Sequence, residues 1–460
     1  MDPMEVEQST EAVDQVASIP DDVVIRILSS LKDARLVAKC SLVSKRWQQM
    51  CARVQTLHFY SGLFKGHNDY EEIVGKMVLK TCELRSLQVA LHQDRHTMAD
   101  GNRPRGISDG ELFRWLDHTA PHLENFYISD LGDGLPEAKL WTGRFARLAT
   151  CTMLKTLVLS NSEITHAPGF DAPPLSRLKS LTLYGVVCGA DSAERVLGLC
   201  PRLEKLLITG CLGVTSLRIS NPHLTTFALK EPPTPVSSIT LRTPALTRLS
   251  LEQVAGVSLE AGRALTKLHL RSDHSIVLNL QNTGNLQDLK IVGKGWDWDS
   301  IQQLLYANPK VKNVAFYIKC RDQIHANGVP VEPVRLDRFF YTLQEVRKME
   351  IGAELMWVLS AGRLDAATIA EANPVWMPKV QEIKLGAVKA KAVYIDVLAA
   401  LLNRCPELKR VVVDTSQLKK SSWNCSTFFS DVLRLQRAHP ATDIKINMPD
   451  LFVPPKGREQ

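Results

Sequence analysis

The dominant pattern along the chain is a recurring L-x-x-L-x-L unit. It runs as LRSLQV from Leu84, LENFYI from Leu123, LKTLVL from Leu154, LKSLTL from Leu178 and LEKLLI from Leu203. It continues as LTTFAL from Leu224, LTRLSL from Leu246, LTKLHL from Leu265 and LQDLKI from Leu286, with looser copies starting at Val311, Val346, Val380 and Leu408. From Leu154 to Val311 the starts lie about 22 residues apart, a spacing that marks a solenoid of stacked coils. The second half of each unit alternates apolar and polar, as a strand with one buried face must. One coil cannot bury its own leucines, but neighbouring coils share a continuous core. The expected architecture is therefore α/β, with parallel strands lining the concave face of the solenoid.

Half-period copies stand between the main units at Val214 (VTSLRI), Val236 (VSSITL) and Val254 (VAGVSL). Prolines crowd the same stretch at Pro222, Pro232, Pro233, Pro235 and Pro244. Such a coil has no room for a helix, so strands are predicted on both faces from about 203 to 291. Longer coils hold helices. Ser108-Asp109-Gly110-Glu111 reads as a capping box ahead of Leu112, Phe113 and Leu116. Further helices are expected over Ser192–Leu199, Ser300–Tyr306, Val393–Asn403 and Thr427–Ala438. Pro121, Pro201, Pro309 and Pro406 follow four of the helices and hand the chain to the next strand. The period matches that of leucine-rich repeats.

The first part of the chain is different. Residues 1–16 form an acidic tail, expected to be disordered, with five acids and no base up to Asp14. Then Val23, Val24, Ile27, Leu28 and Leu31 recur at helical spacing behind Pro20, Asp21 and Asp22. Proline suits an early helix position and acids suit the first turn. Asp33 and Ser44 are good caps for two more short helices, one carrying Leu36, Val37 and Cys40 and one carrying Trp47, Met50 and Cys51. Three helices of this size bury too little to stand alone.

Residues 18–50 resemble an F-box. Ile19-Pro20, Asp22-Val23, Ile27-Leu28, Leu31, Leu36, Val43-Ser44 and Trp47 follow the family's order and spacing, with Ile19 and Met50 where leucine is commoner. Together with the repeats, the chain resembles the plant F-box/leucine-rich-repeat group, and the region of about 375–447 is similar to that group's FBD end. The resemblance sets the domains at 17–58 for the F-box and 59–447 for the repeats, with a flexible tail at 448–460. It implies a substrate receptor of a Skp–cullin–F-box ubiquitin ligase. The F-box docks on a Skp-family adaptor and through it on a cullin, while the repeats hold a protein for ubiquitination. The expected adaptor contacts are Ile19, Pro20, Val23, Ile27 and Leu28, followed by Leu31, Leu36, Val43 and Trp47. The alternative is that some of these residues pack the F-box against itself or against the first repeat coils, and the sequence does not sort the two sets. An F-box scaffold outside ubiquitination and a sensor of a hormone-like small molecule are the alternatives.

Composition narrows the remaining chemistry. The 460 residues are 45% hydrophobic and 23% charged, as in ordinary folded proteins. Lys and Arg number 56 against 49 Asp and Glu, a net charge of +7. With no long basic run, this excess gives little reason to expect nucleic acid. No apolar run approaches the ~18 residues of a membrane span, so no membrane partner is expected. The acidic start is unlike a secretory leader, and the protein is expected in the cytoplasm and/or nucleus. The ten cysteines form no C-x-x-C pair and suit a reducing compartment. Asn424-Cys425-Ser426 matches a glycosylation acceptor but lacks an export signal beside it. No phosphate-loop, nucleophile-elbow or dinucleotide motif is present. Neither His92/His96 nor His118/His122 brings the third ligand that a metal site requires. No catalytic residue, metal or cofactor is expected. Trp296 and Trp298 beside Asp297 and Asp299 read either as the lining of a pocket or as the start of a helix at Ser300 with Asp299 as its cap, and the helix is expected. Residues three, five and seven of each repeat unit point outward from the sheet. On that rule the candidate substrate residues are Lys205, Arg248, Lys267, His269, Arg271 and Lys290. They read either as a basic stripe for an acidic or phosphorylated target or as a solvated face.

Overall fold

The computed structural model describes residues 19–60, 70–91, 107–130, 141–164, 173–189, 191–294, 296, 298–318, 342–355, 377–386, 392–415 and 424–447. The tails expected at 1–16 and 448–460, and the pair His92/His96, lie outside these residues. The chain divides into two compact units, one of residues 1–217 with 231–233 and one of 218–230 with 234–460.

The N-terminal unit opens with three helices: α1 (Asp21–Leu31), α2 (Ala34–Cys40) and α3 (Lys45–Cys51). Both predicted caps form. The Asp33 carboxylate accepts from the Arg35 amide at 2.8 Å, and the Ser44 hydroxyl accepts from the Trp47 amide at 3.2 Å, each satisfying a donor that the first helical turn leaves open. Arg46 of α3 ties back to the start of α1, 2.7 Å from Asp21. Val24, Ile25, Leu28, Ala34, Val37, Met50 and Cys51 make the small core.

A parallel sheet follows through Thr56–Tyr60, Ser86–Leu91, Asn125–Asp130, Thr156–Ser160, Ser180–Tyr184 and Lys205–Thr209. Its first strand starts at Thr56, inside the range assigned to the F-box and ahead of the first repeat unit seen in the sequence. TLHFY lacks the leading leucine, so only its alternation marked it. The helical cluster serves as the first coil's neighbour. The His58 amide donates to the Lys32 carbonyl at 2.7 Å and the Gln55 amide to the Ser29 hydroxyl at 3.0 Å. The Cys82 amide reaches the Ala52 carbonyl at 2.8 Å. The His58 bond lies on the open edge of the first strand, where unpaired backbone groups would be a liability.

The helix Asp109–Thr119 appears where the capping box predicted it, but the box is half formed. The Ser108 hydroxyl accepts from the Glu111 amide at 3.5 Å, whereas the Glu111 carboxylate turns to Arg114. Glu71 of the preceding helix takes the Ser108 amide and hydroxyl instead. That helix, Tyr70–Val78, and the helix Trp141–Leu148 were not anticipated. Gly75 lets the first of them approach Trp115, whose ring nitrogen lies 3.0 Å from where a Cβ would stand.

In the C-terminal unit, parallel strands run through Thr226–Lys230, Arg248–Glu252, Lys267–Arg271, Asp288–Gly293 and Asn313–Ile318. They continue through Lys348–Ile351, Glu382–Leu385, Arg410–Asp414 and Asp443–Asn447. A second parallel sheet pairs Ser238–Arg242, Gly256–Leu259 and Val277–Leu280. This is the expected second layer of the proline-rich coils, extended by Val277–Leu280. The leading leucines of the nine strict units are all buried, so each one fills the shared core. The expected helices form as Ser192–Gly198 in the N-terminal unit, and as Trp298–Tyr306, Ala392–Arg404 and Asn424–Ala438 in the C-terminal unit. Because the second begins at Trp298, Asp299 lies within its first turn and is not its cap. There its charge still meets the positive helix end.

Among the described cysteines, burial pushes the thiols of Cys151, Cys188, Cys200 and Cys405 up to about 12, and that of Cys51 up to about 11. The thiolate is the reactive form. We therefore expect iodoacetamide at mildly basic pH to label the exposed Cys82 in the native protein, and those four only after unfolding. Peptide mass spectrometry reads the difference, and equal labelling of Cys82 and Cys200 in the native state would contradict it.

Candidate functional site

Two surfaces are built by these elements. The first is on the helical cluster. Val23, Ile27 and Leu31 stand four residues apart on α1 and are all exposed, while Val24, Ile25 and Leu28 on the opposite side are buried. Leu36 of α2 is also exposed. The turn Ser41–Val43 between α2 and α3 carries Leu42 and Val43, at 84% and 66% exposure. Single exposed apolar side chains are common, but six within three short helices and their turn are a concentration of exposed apolar groups.

The structure sorts the sequence candidates. Val23, Ile27, Leu31, Leu36 and Val43 face outward. Pro20 is exposed, and Ile19 and Trp47 are half-buried. Leu28, at 1% exposure, belongs to the interior of the cluster. Its place on α1, next to Ile27, puts it on the inner side of the same helix. Leu42 was missed. It falls between two helices, where periodicity gives no phase, and the family pattern did not point to it.

The second surface is the outward face of the repeat strands. In the C-terminal unit it is crowded with charge, and the charges pair across strands. Lys267 lies 2.7 Å from Asp288, Lys348 3.2 Å from Glu382, and Arg410 3.8 Å from Asp443. Arg271 sits 3.9 Å from Glu252, and Lys384 3.9 Å from Glu350. Lys290 stacks over the Tyr317 ring at 5.4 Å. Burial raises the Asp288 pKa, but the Asn313 hydrogen bond and Lys267 outweigh it and hold the carboxyl below its ordinary value. The His269 imidazole is pushed down by burial and by Lys290, and bonds Ser250 at 3.2 Å. Of the residues read as a basic stripe, Lys267 and Arg271 thus face acids of the adjacent strands. Arg248 and Lys290 share this face, and Lys205 lies in the N-terminal unit.

The N-terminal unit's outward face has another chemistry. Its first row reads Thr56, Ser86, Asn125, Thr156, Ser180 and Lys205. Its second reads His58, Gln88, Tyr127, Val158, Thr182 and Leu207, and its third Tyr60, Ala90, Ser129, Ser160, Tyr184 and Thr209, of which Tyr60 and Tyr184 are exposed while Ala90, Ser129 and Ser160 are buried. Lys205 is the lone lysine or arginine in these rows, and no acid stands there.

His118 donates from Nε2 to the Thr81 carbonyl at 2.6 Å, which occupies that ring nitrogen. Among the described residues no group of three or more His, Cys, Asp or Glu side chains is placed to hold a metal ion. No helix among them is long and apolar enough to cross a membrane.

The chain matches two family models: F-box-like over residues 16–58, and "FBD-associated F-box protein At5g56370, LRR repeats" over residues 135–271. F-box protein At1g10780 of Arabidopsis thaliana is 23% identical, over 91% of this chain and 97% of its own length. F-box/FBD/LRR-repeat protein At3g52680 of the same plant is 29% identical, over 42% of this chain and 40% of its own length. A solved leucine-rich-repeat protein of Leptospira interrogans aligns with a TM-score of 0.38 at 12% identity, over 86% of this chain and 96% of that one.

Proposed function

We propose that this chain, an F-box/leucine-rich-repeat protein, is the substrate-recognition subunit of a Skp–cullin–F-box ubiquitin ligase and catalyses nothing itself. The observation that carries this reading is the apolar surface of Val23, Ile27, Leu31, Leu36, Leu42 and Val43, left open by helices whose own core is already filled. A Skp-family adaptor covers it, with Ile19, Pro20 and Trp47 at its margin, and brings the cullin. The repeats hold the protein to be ubiquitinated, and residues 375–447 form an FBD-like end of the array. The complex works in the cytoplasm and/or nucleus, without cofactor, nucleic acid or membrane.

Affinity purification of the tagged full chain, with its companions quantified by mass spectrometry, tests the proposal. Adaptor and cullin should both co-purify in near-equal amounts. Adaptor without cullin would replace the receptor with a scaffold outside ubiquitination. Neither protein would defeat the reading altogether.

A further inference from the structure

We infer that the target segment lies on the tyrosine-bearing sheet face of the N-terminal unit, and that this segment is an uncharged, extended stretch of polypeptide rich in aromatic or proline side chains. The inference deepens the receptor reading and rests on it.

Charge is the first argument. The first two rows across six strands, with the exposed Tyr60 and Tyr184 of the third, offer Lys205 and no acid. His58 does not add a charge: burial, then Lys32, push its pKa below the ordinary value, so the imidazole is neutral at pH 7. A charged side chain of a partner laid on these rows away from Lys205 loses its water and meets no counter-charge, which is costly. An uncharged segment pays no such penalty.

The side chains that are present form the second argument. Tyr60, Tyr127 and Tyr184 project from the first, third and fifth strands of the sheet. Tyr60 and Tyr184 are exposed, at 39% and 52%. Burial pushes the Tyr127 phenol up, Ser129 opposes the rise, and the phenols of Tyr184 and Tyr60 add to it. Tyrosine brings large apolar area, a hydroxyl and few rotatable bonds, and so makes a strong contact at low entropic cost. Val158 and Leu207 add apolar surface in the same row as Tyr127, while Gln88 and Thr182 supply hydrogen-bonding groups for an extended backbone. A proline-bearing segment suits such an aromatic face because it is ordered before it binds.

The third argument is the contrast with the C-terminal unit, whose outward charges are largely taken up by each other. Lys267 and Arg271, the best candidates for an acidic target, sit beside Asp288 and Glu252. The face chosen here also begins at the strand bonded directly to the F-box, through the His58 amide and the Lys32 carbonyl. A target on it is held at a fixed place relative to α1.

The test uses the full chain co-purified with a Skp-family adaptor, applied to an array of short synthetic peptides in four classes: uncharged with Tyr, Phe or Pro, acidic, serine-phosphorylated and basic. The uncharged class should bind at least about tenfold better than the others, with little change between about 0.1 and 0.5 M salt. Tyr127→Ala with Tyr184→Ala should lose that binding about tenfold or more. Tyr184→Lys, at an exposed position where the fold is insensitive, should do the same. Lys267→Glu with Arg271→Glu should bind as the parent does. Adaptor retention is measured in every sample. If it fails for the parent chain, the receptor reading falls, while the peptide result still decides the location of the face. Best binding by acidic or phosphorylated peptides, lost in Lys267→Glu with Arg271→Glu, would overturn the inference, as would no binding by any class.

Discussion

Ile27→Asp is expected to abolish adaptor binding while leaving the protein folded, and Leu28→Asp to unfold the helical cluster itself. The two residues are neighbours in sequence and opposite in consequence. Ile27 is half exposed on the outer stripe of α1, whereas Leu28 is sealed inside with Val24, Val37 and Met50. A carboxylate at position 27 stays in water in the free chain, so its effect on stability is within about 0.5 kcal/mol, as for most surface changes. On docking, that charge would be stripped of water against apolar groups. A cost of about 3 kcal/mol is a modest figure for such a burial, and it corresponds to a loss of more than 100-fold in affinity. At position 28 the charge would be buried in the free protein, costing about 3–5 kcal/mol. A cluster this small has little stability to spare. Isothermal titration of purified adaptor against each variant, beside circular dichroism melts, separates the outcomes. Parent-like affinity of Ile27→Asp would remove the α1 stripe from the interface.

That contrast also shows what a sequence read alone resolves. The period of about 22 residues, the strand alternation and the two-layered proline-rich coils were all legible, because each rests on local chemistry repeated many times. The F-box was legible from the order of a few residues. Its inner and outer faces were not: Ile27 and Leu28 are equally apolar, and only the packing of α1 against α2 and α3 tells them apart. The first strand escaped because its neighbour is the F-box and not another leucine-led coil. The tyrosine face was available to the same outward-position rule that yielded Lys205. The rule places Tyr127 at the fifth position of LENFYI, but attention to charge passed over rows that contain almost none. The ion pairs that neutralise Lys267 and Arg271 depend on strand register, which a single chain does not disclose.

Register and coil crossing meet at two glycines, and replacing either with alanine should cost about 3–5 kcal/mol, near the upper end for single substitutions. Gly213 has φ +79°, and a Cβ there would stand 2.0 Å from the Cys188 carbonyl oxygen. Gly293 has φ +113°, and its Cβ would stand 2.0 Å from the Ser272 carbonyl oxygen. Both obstacles are backbone atoms of the preceding coil. Neither can swing aside, because the Cys188 amide bonds the Leu212 carbonyl at 2.8 Å and the Ser272 amide bonds the Val292 carbonyl at 2.9 Å. Left-handed backbone alone is not the difficulty. Asn161, Glu231, Gln253 and Asn282 adopt positive φ with side chains in place, at the modest cost such residues carry. Close approach is what demands glycine at 213 and 293. Gly198→Ala is the control: it lies in a helix with nothing within 4 Å, and should be neutral or stabilising by up to about 1 kcal/mol. Coils of a solenoid support chiefly their neighbours, so the damage from Gly293→Ala should appear in hydrogen exchange around 272–293 while adaptor affinity, set by α1, α2 and the turn beyond it, stays as in the parent. Unaltered exchange in that stretch would mean that the coils can part by more than an ångström without loss, and the packing described for them would have to be abandoned.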